Sequence, residues 1–327
     1  MTASDTSLYP RGAVLMAPLS GYTDLPWRRS MRRHGCRYAF TEMIDAASLR
    51  YARERASAML LRGEEEDFFG IQLLGSDPEF LKVSLEVLNE YDCSVLDFNL
   101  GCPVPKVTKK CAGAELGRHI DLALERFSLF RQYSRHRLSA KIRILSEEDP
   151  APTLELAQGL AELGAEAITV HGRVKDKIYS GPVYFAMIRH LVEHLPVPVI
   201  GNGGIFTAAD AAEMYRETGC HGIMLARGAM GNPWLFAELA DPEGFIPPTV
   251  EELCAEVEQH IGEMVELYGE PGAIKLSRKM LHDYFKGRGF PGVFRAQASH
   301  LADFAAVKGF LAEAKSLRSG PVPCCRS

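Results

Sequence analysis

The sequence alternates short apolar runs with helix-like stretches, and this alternation constrains the fold more than any other feature. Eight runs rich in β-branched and aromatic residues are predicted to be strands. They are VLMA (14–17), YAFTEM (38–43), FGIQLL (69–74), VLDFNL (95–100), SAKIRI (139–144), EAITVH (166–171), VPVIGN (197–202) and HGIMLA (221–226). Helix-like patterns separate them, at 78–91, 122–134, 153–164, 183–195 and 209–219.

Eight β–α units over about 240 residues predict a (β/α)8 barrel. A doubly wound sheet is the alternative, but eight evenly spaced units favour closure. Beyond the Pro- and Gly-rich stretch DPEGFIPPT (241–249), only helical patterns follow, at 251–269, 273–287 and 301–316. We therefore predict an α/β barrel domain over 1–241 and a small helical domain over 242–327. Its frayed tail holds Cys324 and Cys325.

Composition narrows the class of protein. The 327 residues are 46% hydrophobic and 24% charged, which excludes disordered, collagen-like and disulfide-scaffold chains. Eight cysteines with no CxxC spacing predict reduced thiols and no zinc site. No signal-peptide pattern and no run of about 18–20 apolar residues is present. We expect a cytoplasmic protein without a membrane partner or metal, and a monomer, since one barrel can host a whole site.

Polar side chains follow most of the predicted strands. The strand ends carry Ala17 and Pro18, Glu42, Gln72, Asn99, Lys141, His171, Asn202, and Ala226 with Arg227. Active sites of such barrels gather at this edge. For any single position, the alternative to an active-site role is that a polar residue occurs there because solvent exposure begins where a strand ends. A lysine and a histidine on otherwise apolar strands make that alternative weak for the whole set.

The last two loops predict a phosphate site. Gly203 and Gly204 follow strand 7, and Arg227 follows strand 8. Glycines let backbone N–H groups approach phosphate oxygens, and loops 7 and 8 hold phosphate in many barrels. No GxGxxG follows a predicted strand, as a dinucleotide-binding motif requires, so flavin mononucleotide (FMN) is the best fit among common cofactors. Lys141 would then stabilise the reduced flavin, with a buried salt bridge as its alternative role.

The segment FNLGCPVPKVTKK (98–110) follows strand 4 directly. Its glycine and prolines predict an irregular loop over the barrel mouth. The Cys102 thiol could give a proton to a substrate carbon while a flavin supplies hydride, or it could be an inert small hydrophobe. Lys106, Lys109 and Lys110 could bind phosphates or form a solvated surface run.

These motifs resemble the tRNA-dihydrouridine synthase family, most closely its bacterial B-type branch. The resemblance covers about residues 11–300. It is carried by MAPLSGYTDLPWR (16–28), TEM (41–43), IQLLGSDPE (71–79), DFNLGCPVPKVTKKCAGAEL (97–116), KIR (141–143), VHGR (170–173), YSGP (179–182), VIGNGGIFT (199–207), RGAMGNPW (227–234) and KGRGFPGVFRAQ (286–297).

The resemblance implies an FMN enzyme that reduces the C5=C6 bond of specific tRNA uridines with NADPH or NADH. Hydride would pass from flavin N5 to C6, and Cys102 would protonate C5. The implied cofactor-binding residues are Pro18, Leu19, Ser20, Gln72, Lys141, His171, Asn202, Gly203, Gly204, Ala226 and Arg227. The implied substrate-binding residues are Asn99, Lys106, Lys109, Lys110, Arg173, Lys286, Arg288 and Arg295, with the helical domain holding the tRNA.

The chain departs from the family pattern in two places. Gly204 stands where Asp is usual and Ala226 where Gly is usual; both positions act through backbone, so the site is expected to survive. In KKCAGAELG (109–117), Cys111 replaces a glycine, and Glu115 and Gly117 stand at apolar positions. Their effect on the loop stays open. Cys102 is preferred to Cys111 as the acid because GCP directly follows the strand.

Two other functions fit part of the pattern. An FMN barrel reductase acting on a free pyrimidine or enone gives no reason for the KVTKK cluster or the helical appendage. A non-catalytic tRNA-binding barrel is the other. The net charge is only −5, but residues 101–145 carry +7 and residues 275–298 carry +5. We predict that both segments face a common cleft whose RNA affinity falls as salt rises.

Overall fold

The structure is a computed structural model and describes residues 7–52 and 57–323. Within those residues, eight parallel strands form one closed barrel in chain order, and β1 pairs with β8. The strands are β1 (Val14–Met16), β2 (Tyr38–Asp45), β3 (Gly70–Leu74), β4 (Val95–Leu100), β5 (Leu138–Arg143), β6 (Ala165–His171), β7 (Val199–Asn202) and β8 (Gly222–Leu225). The predicted (β/α)8 fold is confirmed, and each strand end lies within two residues of its prediction.

Helices alternate with these strands and then continue alone. Those on the barrel are α1 (Leu25–Arg33), α2 (Ala46–Tyr51), α3 (Pro78–Leu88), α4 (Pro105–Thr108), α5 (Ala114–Gly117), α6 (Ile120–Tyr133), α7 (Ala151–Glu162), α8 (Phe185–His194), α9 (Ala208–Thr218) and α10 (Leu235–Ala240). After them come α11 (Val250–Tyr268), α12 (Glu270–Phe285), α13 (Gly292–Gln297) and α14 (Phe304–Leu317). In the described part of the chain, no helix is both long and apolar enough to cross a membrane.

Local sequence signals fix where several helices begin. The Asp24 carboxylate accepts from the Trp27 amide at the start of α1, and Asp77 does the same for α3. Thr207 and Asp210 form a reciprocal capping box at the start of α9. Gly219 ends that helix in the left-handed conformation, with φ of 66°. The capping box therefore ends the loop after β7 at Thr207.

Apolar side chains fill one end of the barrel and leave the other end to polar groups. Leu15, Phe40 and Ile200 are buried in a cluster that continues to Tyr9. The Tyr9 ring packs on Tyr38 and Phe68 at centroid distances of 5.7 and 5.6 Å, where the first strands begin. A larger apolar core lies between the strands and the surrounding helices. The open end of the barrel is therefore the end where the strands finish.

The four last helices have a core of their own, and α11 packs against α1. Arg33 on α1 pairs with Glu256 on α11 at 2.7 Å, and the hydroxyls of Ser30 and Tyr284 are 3.0 Å apart. The helical character predicted here is confirmed, although the sequence did not predict α13. The division into domains at 241/242 stays a prediction.

The predicted frayed tail is only partly described. Val322 N donates to Pro248 O at 2.8 Å, so the chain returns to the start of α11. Cys324 and Cys325 lie outside the described residues.

Candidate active site

A cavity of about 350 Å³ opens where the strands end. Every cofactor-binding residue predicted from the sequence lines it, together with Asn99 and Cys102. These are Pro18, Leu19, Ser20, Gln72, Asn99, Cys102, Lys141, His171, Asn202, Gly203, Gly204, Ala226 and Arg227. The parallel register brings them together because all eight strands finish at the same edge. Their roles remain predictions; their common location is a property of the fold.

Cationic side chains dominate the cavity. Lys141, Arg143 and Arg227 line it together with the His171 imidazole, and among the described lining residues there is no carboxylate. Arg227 stacks over the Tyr179 ring, with its guanidinium carbon 4.2 Å from the centroid. Uncompensated positive charge of this kind suits an anionic ligand.

Burial and mutual repulsion alter the acidity of these groups. Burial, with Arg143 nearby, lowers the pKa of Lys141 to about 8. Burial also lowers the pKa of Arg143 to about 10. The pKa of His171 is held well below its usual value, first by burial and then by the surrounding cations. The imidazole is therefore neutral at pH 7 and can both accept and donate a hydrogen bond.

The loop after β7 is shaped for close approach of a ligand. Gly203 and Gly204 have φ of 116° and 77°, a region that side chains disfavour. A Cβ on Gly203 would lie 3.3 Å from the His171 ring and 3.5 Å from Arg173 Nη1. That Arg173 nitrogen is buried with no hydrogen-bond partner. A phosphate group would give it one, so the residues present fit the phosphate end of a flavin mononucleotide.

Cys102 belongs to the loop that follows β4. It is 8% exposed and faces the cavity. Its backbone N–H donates to Asn99 Oδ1 at 2.9 Å, and its carbonyl accepts from Ala114 N at 3.0 Å. Burial raises the pKa of the thiol, which Arg143 and Lys141 partly offset. The group is therefore a protonated thiol at neutral pH, as a general acid requires.

The predicted substrate-binding lysines lie outside the cavity. Lys106 and Lys109 are exposed on and just after α4, beside the cavity-lining residue Val104. Lys110 is also exposed, but it pairs with Asp45 at 3.1 Å. Lys286 is exposed just after α12, and Arg295 is half-buried on α13. The cavity and these basic groups are therefore separate parts of the surface.

Arg288 does not have the position that the sequence suggested. Its side chain is 2% exposed and donates to Gly231 O at 3.0 Å, Asn232 Oδ1 at 3.1 Å and Pro323 O at 2.9 Å. These bonds tie the helical region to the loop after β8. A guanidinium buried in this way is not presented to a substrate, so its role here is structural.

Arg143 and Tyr179 are among the cavity residues that the sequence analysis did not single out. Arg143 follows Lys141 by two positions on β5, so the two-residue period of a strand could have placed both side chains on the same face. Tyr179 belongs to an irregular loop, where no periodic signal exists. Arg143 also holds that loop, since its Nη1 donates to Ile178 O at 3.0 Å.

The loop at 109–117 has three unusual residues, and the structure shows how each one is accommodated. Cys111 has a positive φ of 53°, the backbone conformation that a glycine would adopt without strain. Glu115 forms an ion pair with Lys175 in the loop after β6. Gly117 approaches Leu100 O too closely for a Cβ, which would lie 2.9 Å away. With these residues in the loop, Cys102 lines the cavity.

Comparison with known proteins gives a consistent result. The family model described as dihydrouridine synthase matches residues 15–318. A Helicobacter pylori protein named probable tRNA-dihydrouridine synthase is 32% identical over 303 residues, covering 92% of this chain and 91% of the relative. The tRNA-dihydrouridine synthase B of Pasteurella multocida is 29% identical over 308 residues, 92% and 93% of the two chains. That of Xanthomonas axonopodis pv. citri is 30% identical over 287 residues, 86% of each.

Proposed function

We infer that this chain, which belongs to the dihydrouridine synthase family, reduces uridine in tRNA to 5,6-dihydrouridine. The observation that carries the proposal is the presence, in one cavity, of a protonated buried thiol and a cluster of cations without a carboxylate. The thiol suits protonation of a carbon. The cations suit an anionic cofactor.

The residues fit a flavin, and we propose FMN. Gly203, Gly204 and Arg227 would hold the phosphate, and Arg173 would complete its buried hydrogen bonding. Pro18, Leu19 and Ser20 would line the ring by backbone, and Gln72, Lys141 and His171 would contact its polar edge or the ribityl chain. When bound and reduced by NADPH or NADH, the flavin supplies the hydride that uridine C6 accepts.

Cys102 has the properties of the acid that completes the reduction. Its Sγ–H would donate a proton to C5, and the thiolate left behind would lie near Lys141 and Arg143, whose charges act on this thiol. Gly101, Cys102 and Pro103 are all buried, so little of the thiol is exposed to solvent. Proton transfer would therefore come from the protein and not from bulk solvent.

The tRNA would lie across the barrel mouth. Lys106, Lys109 and Lys110 stand on the catalytic-loop side, and Lys286 and Arg295 stand on the helical region. Phosphate contacts from these side chains would orient the substrate, with Asn99 near the base. Arg173, which the sequence placed near the base, is assigned to the flavin phosphate instead because its Nη1 lies beside Gly203. A cytoplasmic location and a monomeric state accord with this proposal.

The test is the nucleoside content of tRNA in a strain from which the gene has been deleted. Loss of dihydrouridine at defined positions, restored by the wild-type chain, is the expected result. If the deletion leaves tRNA dihydrouridine unchanged while the purified flavoprotein oxidises NADPH, the protein is instead a reductase of a small substrate.

A further inference from the structure

We propose that Asp97 is a positioning residue that fixes the Cys102 loop through Gln72 and Asn99. Asp97 does not line the cavity; it is hydrogen-bonded to Gln72, which does. Its influence would pass through two side-chain amides to the backbone of the loop. The functional consequence rests on the role proposed above for Cys102, whereas the structural relay does not.

The connection is a continuous chain of hydrogen bonds across two strands. Asp97 Oδ2 accepts from Gln72 Nε2 at 2.6 Å. Gln72 Oε1 accepts from Asn99 Nδ2 at 2.7 Å. Asn99 Oδ1 in turn accepts from the backbone N–H groups of Gly101 and Cys102, at 3.1 and 2.9 Å. Asp97, Gln72 and Asn99 are all buried, at 4% exposure or less.

The groups at the two ends of this hydrogen-bond relay determine how the two side-chain amides are oriented. An ionised carboxylate can only accept, so Gln72 must turn its NH2 toward Asp97 and its oxygen toward Asn99. Backbone N–H groups can only donate, so Asn99 must turn its oxygen toward the loop and its NH2 toward Gln72. Each end therefore orients both amides in the same sense. Reversing either amide would place two donors or two acceptors in contact at a buried site.

A second observation is the cost of burying Asp97. Burial raises the pKa of its carboxyl to about 6, against the opposing effects of Ser139, Gln72 and Lys141. Ser139 Oγ donates to the other oxygen, Oδ1, at 2.6 Å. An apolar residue at this point in the barrel would avoid that desolvation. Orientation of the two amides supplies a reason for a carboxylate that contacts no ligand.

The test compares Asp97→Ala with Ser139→Ala in the flavin-loaded protein. Asp97→Ala removes the carboxylate and the hydrogen bond from Gln72, whereas Ser139→Ala removes only the bond to Oδ1 and leaves the relay to the loop intact. Hydrogen exchange of the Gly101 and Cys102 amides, corrected for intrinsic rates, reports on the loop directly. We expect at least tenfold faster exchange in Asp97→Ala and less than twofold change in Ser139→Ala.

Single-turnover dihydrouridine formation gives the functional readout. Asp97→Ala should form product at least tenfold more slowly, with flavin content and NADPH oxidation within twofold of wild type. Ser139→Ala should stay within threefold. Wild-type exchange in Asp97→Ala, or equal losses in the two variants, would overturn the proposal. If the wild-type chain formed no dihydrouridine, the proposed function would fail while the exchange measurement still decided the relay.

A third variant keeps the proposal testable if Asp97→Ala does not fold. Asp97→Asn is nearly isosteric but has no acidic proton. In wild type, protonation of Asp97 below about pH 6 would remove the acceptor-only end of the relay and speed exchange at Cys102. The titratable groups electrostatically coupled to Asp97 are Lys141 on β5 and Tyr9 before β1, and neither changes charge in that range. Asp97→Asn should lack this acid response; the same response in both proteins would contradict the proposal.

Discussion

Lys141 Nζ donates to Asn202 Oδ1 at 2.9 Å, so a cation from β5 meets a neutral amide from β7 across the cavity. The amide is held in this orientation because Asn202 Nδ2 donates to Met224 O at 2.7 Å. Lys141 is therefore positioned without a carboxylate. Its charge stays directed at whatever anion occupies the cavity.

Replacing Lys141 tests whether its charge stabilises a reduced flavin. Lys141→Met should slow flavin reduction by NADPH at least tenfold in stopped-flow measurements, because the cation that stabilises the reduced, anionic ring is lost. In wild type the rate should also fall as pH rises through about 8, where Lys141 loses its proton. Lys141→Arg keeps its charge in that range. A wild-type-like decline near pH 8 in Lys141→Arg would show that another group titrates.

Two glycines separate the effect of backbone strain from the effect on the cavity. Gly203 and Gly219 both have positive φ, but only Gly203 lines the cavity. Alanine at either position should cost about 1 kcal/mol of stability, measured by urea unfolding. Flavin retention through gel filtration should fall only in Gly203→Ala. Equal retention in the two variants would argue against a phosphate site at this loop.

The buried ion pair between Arg28 and Glu66 should be the costlier of two neighbouring pairs to break. It is bidentate, at 2.7 and 2.9 Å, and both side chains are 2% exposed or less. Glu66→Ala should lower the free energy of unfolding by about 3–5 kcal/mol, because a charge is left buried. Glu65→Ala breaks the solvent-exposed pair with Arg29 and should cost about 0–1 kcal/mol. Similar losses would mean that solvent reaches Arg28 readily.

His260 should make stability depend on pH. Burial against Trp27 and Tyr284 lowers its pKa to about 4, below its usual 6.5. The unfolded chain therefore binds a proton first as pH falls, and the folded state loses stability. His260 alone should contribute a loss of about 2 kcal/mol between pH 7 and pH 5, measured as the difference between the wild type and a variant without this titration.

His260→Gln lacks this titration and provides the control. Urea unfolding at the two pH values should show a clearly smaller difference for this variant. Glu256, whose pKa is lowered to about 2, contributes mainly below pH 4.5 and so stays outside the window. An equal pH dependence in both proteins would assign the effect to other groups.

The sequence predicts most of the barrel because its signals are local and periodic. VLDFNL coincides with β4, and the strand ends place Gln72, Lys141 and His171 at one edge. Parallel closure then assembles the site from residues about 200 positions apart. The pattern needs no tertiary information, since each unit carries its own apolar period and some carry a helix cap as well.

What the sequence did not predict depends on non-local contacts. Arg288 is basic and follows a helix, which is typical of a surface residue, yet its hydrogen bonds to Gly231 and Asn232 bury it. Tyr179 enters the cavity because Arg143 holds its loop by backbone carbonyls. The amide relay from Asp97 to Cys102 likewise depends on register between β3 and β4. Neither composition nor residue spacing indicates these contact partners.

The most direct test of the account compares Cys102→Ala with Cys111→Ala. Both cysteines belong to the same loop region, but only Cys102 lines the cavity. Single-turnover reduction of tRNA by the pre-reduced flavoprotein should slow about 10²–10⁴-fold in Cys102→Ala, the usual contribution of a general acid, and remain within threefold in Cys111→Ala. Wild-type rates in Cys102→Ala, or an equal loss in Cys111→Ala, would contradict the assignment of Cys102 as the proton donor.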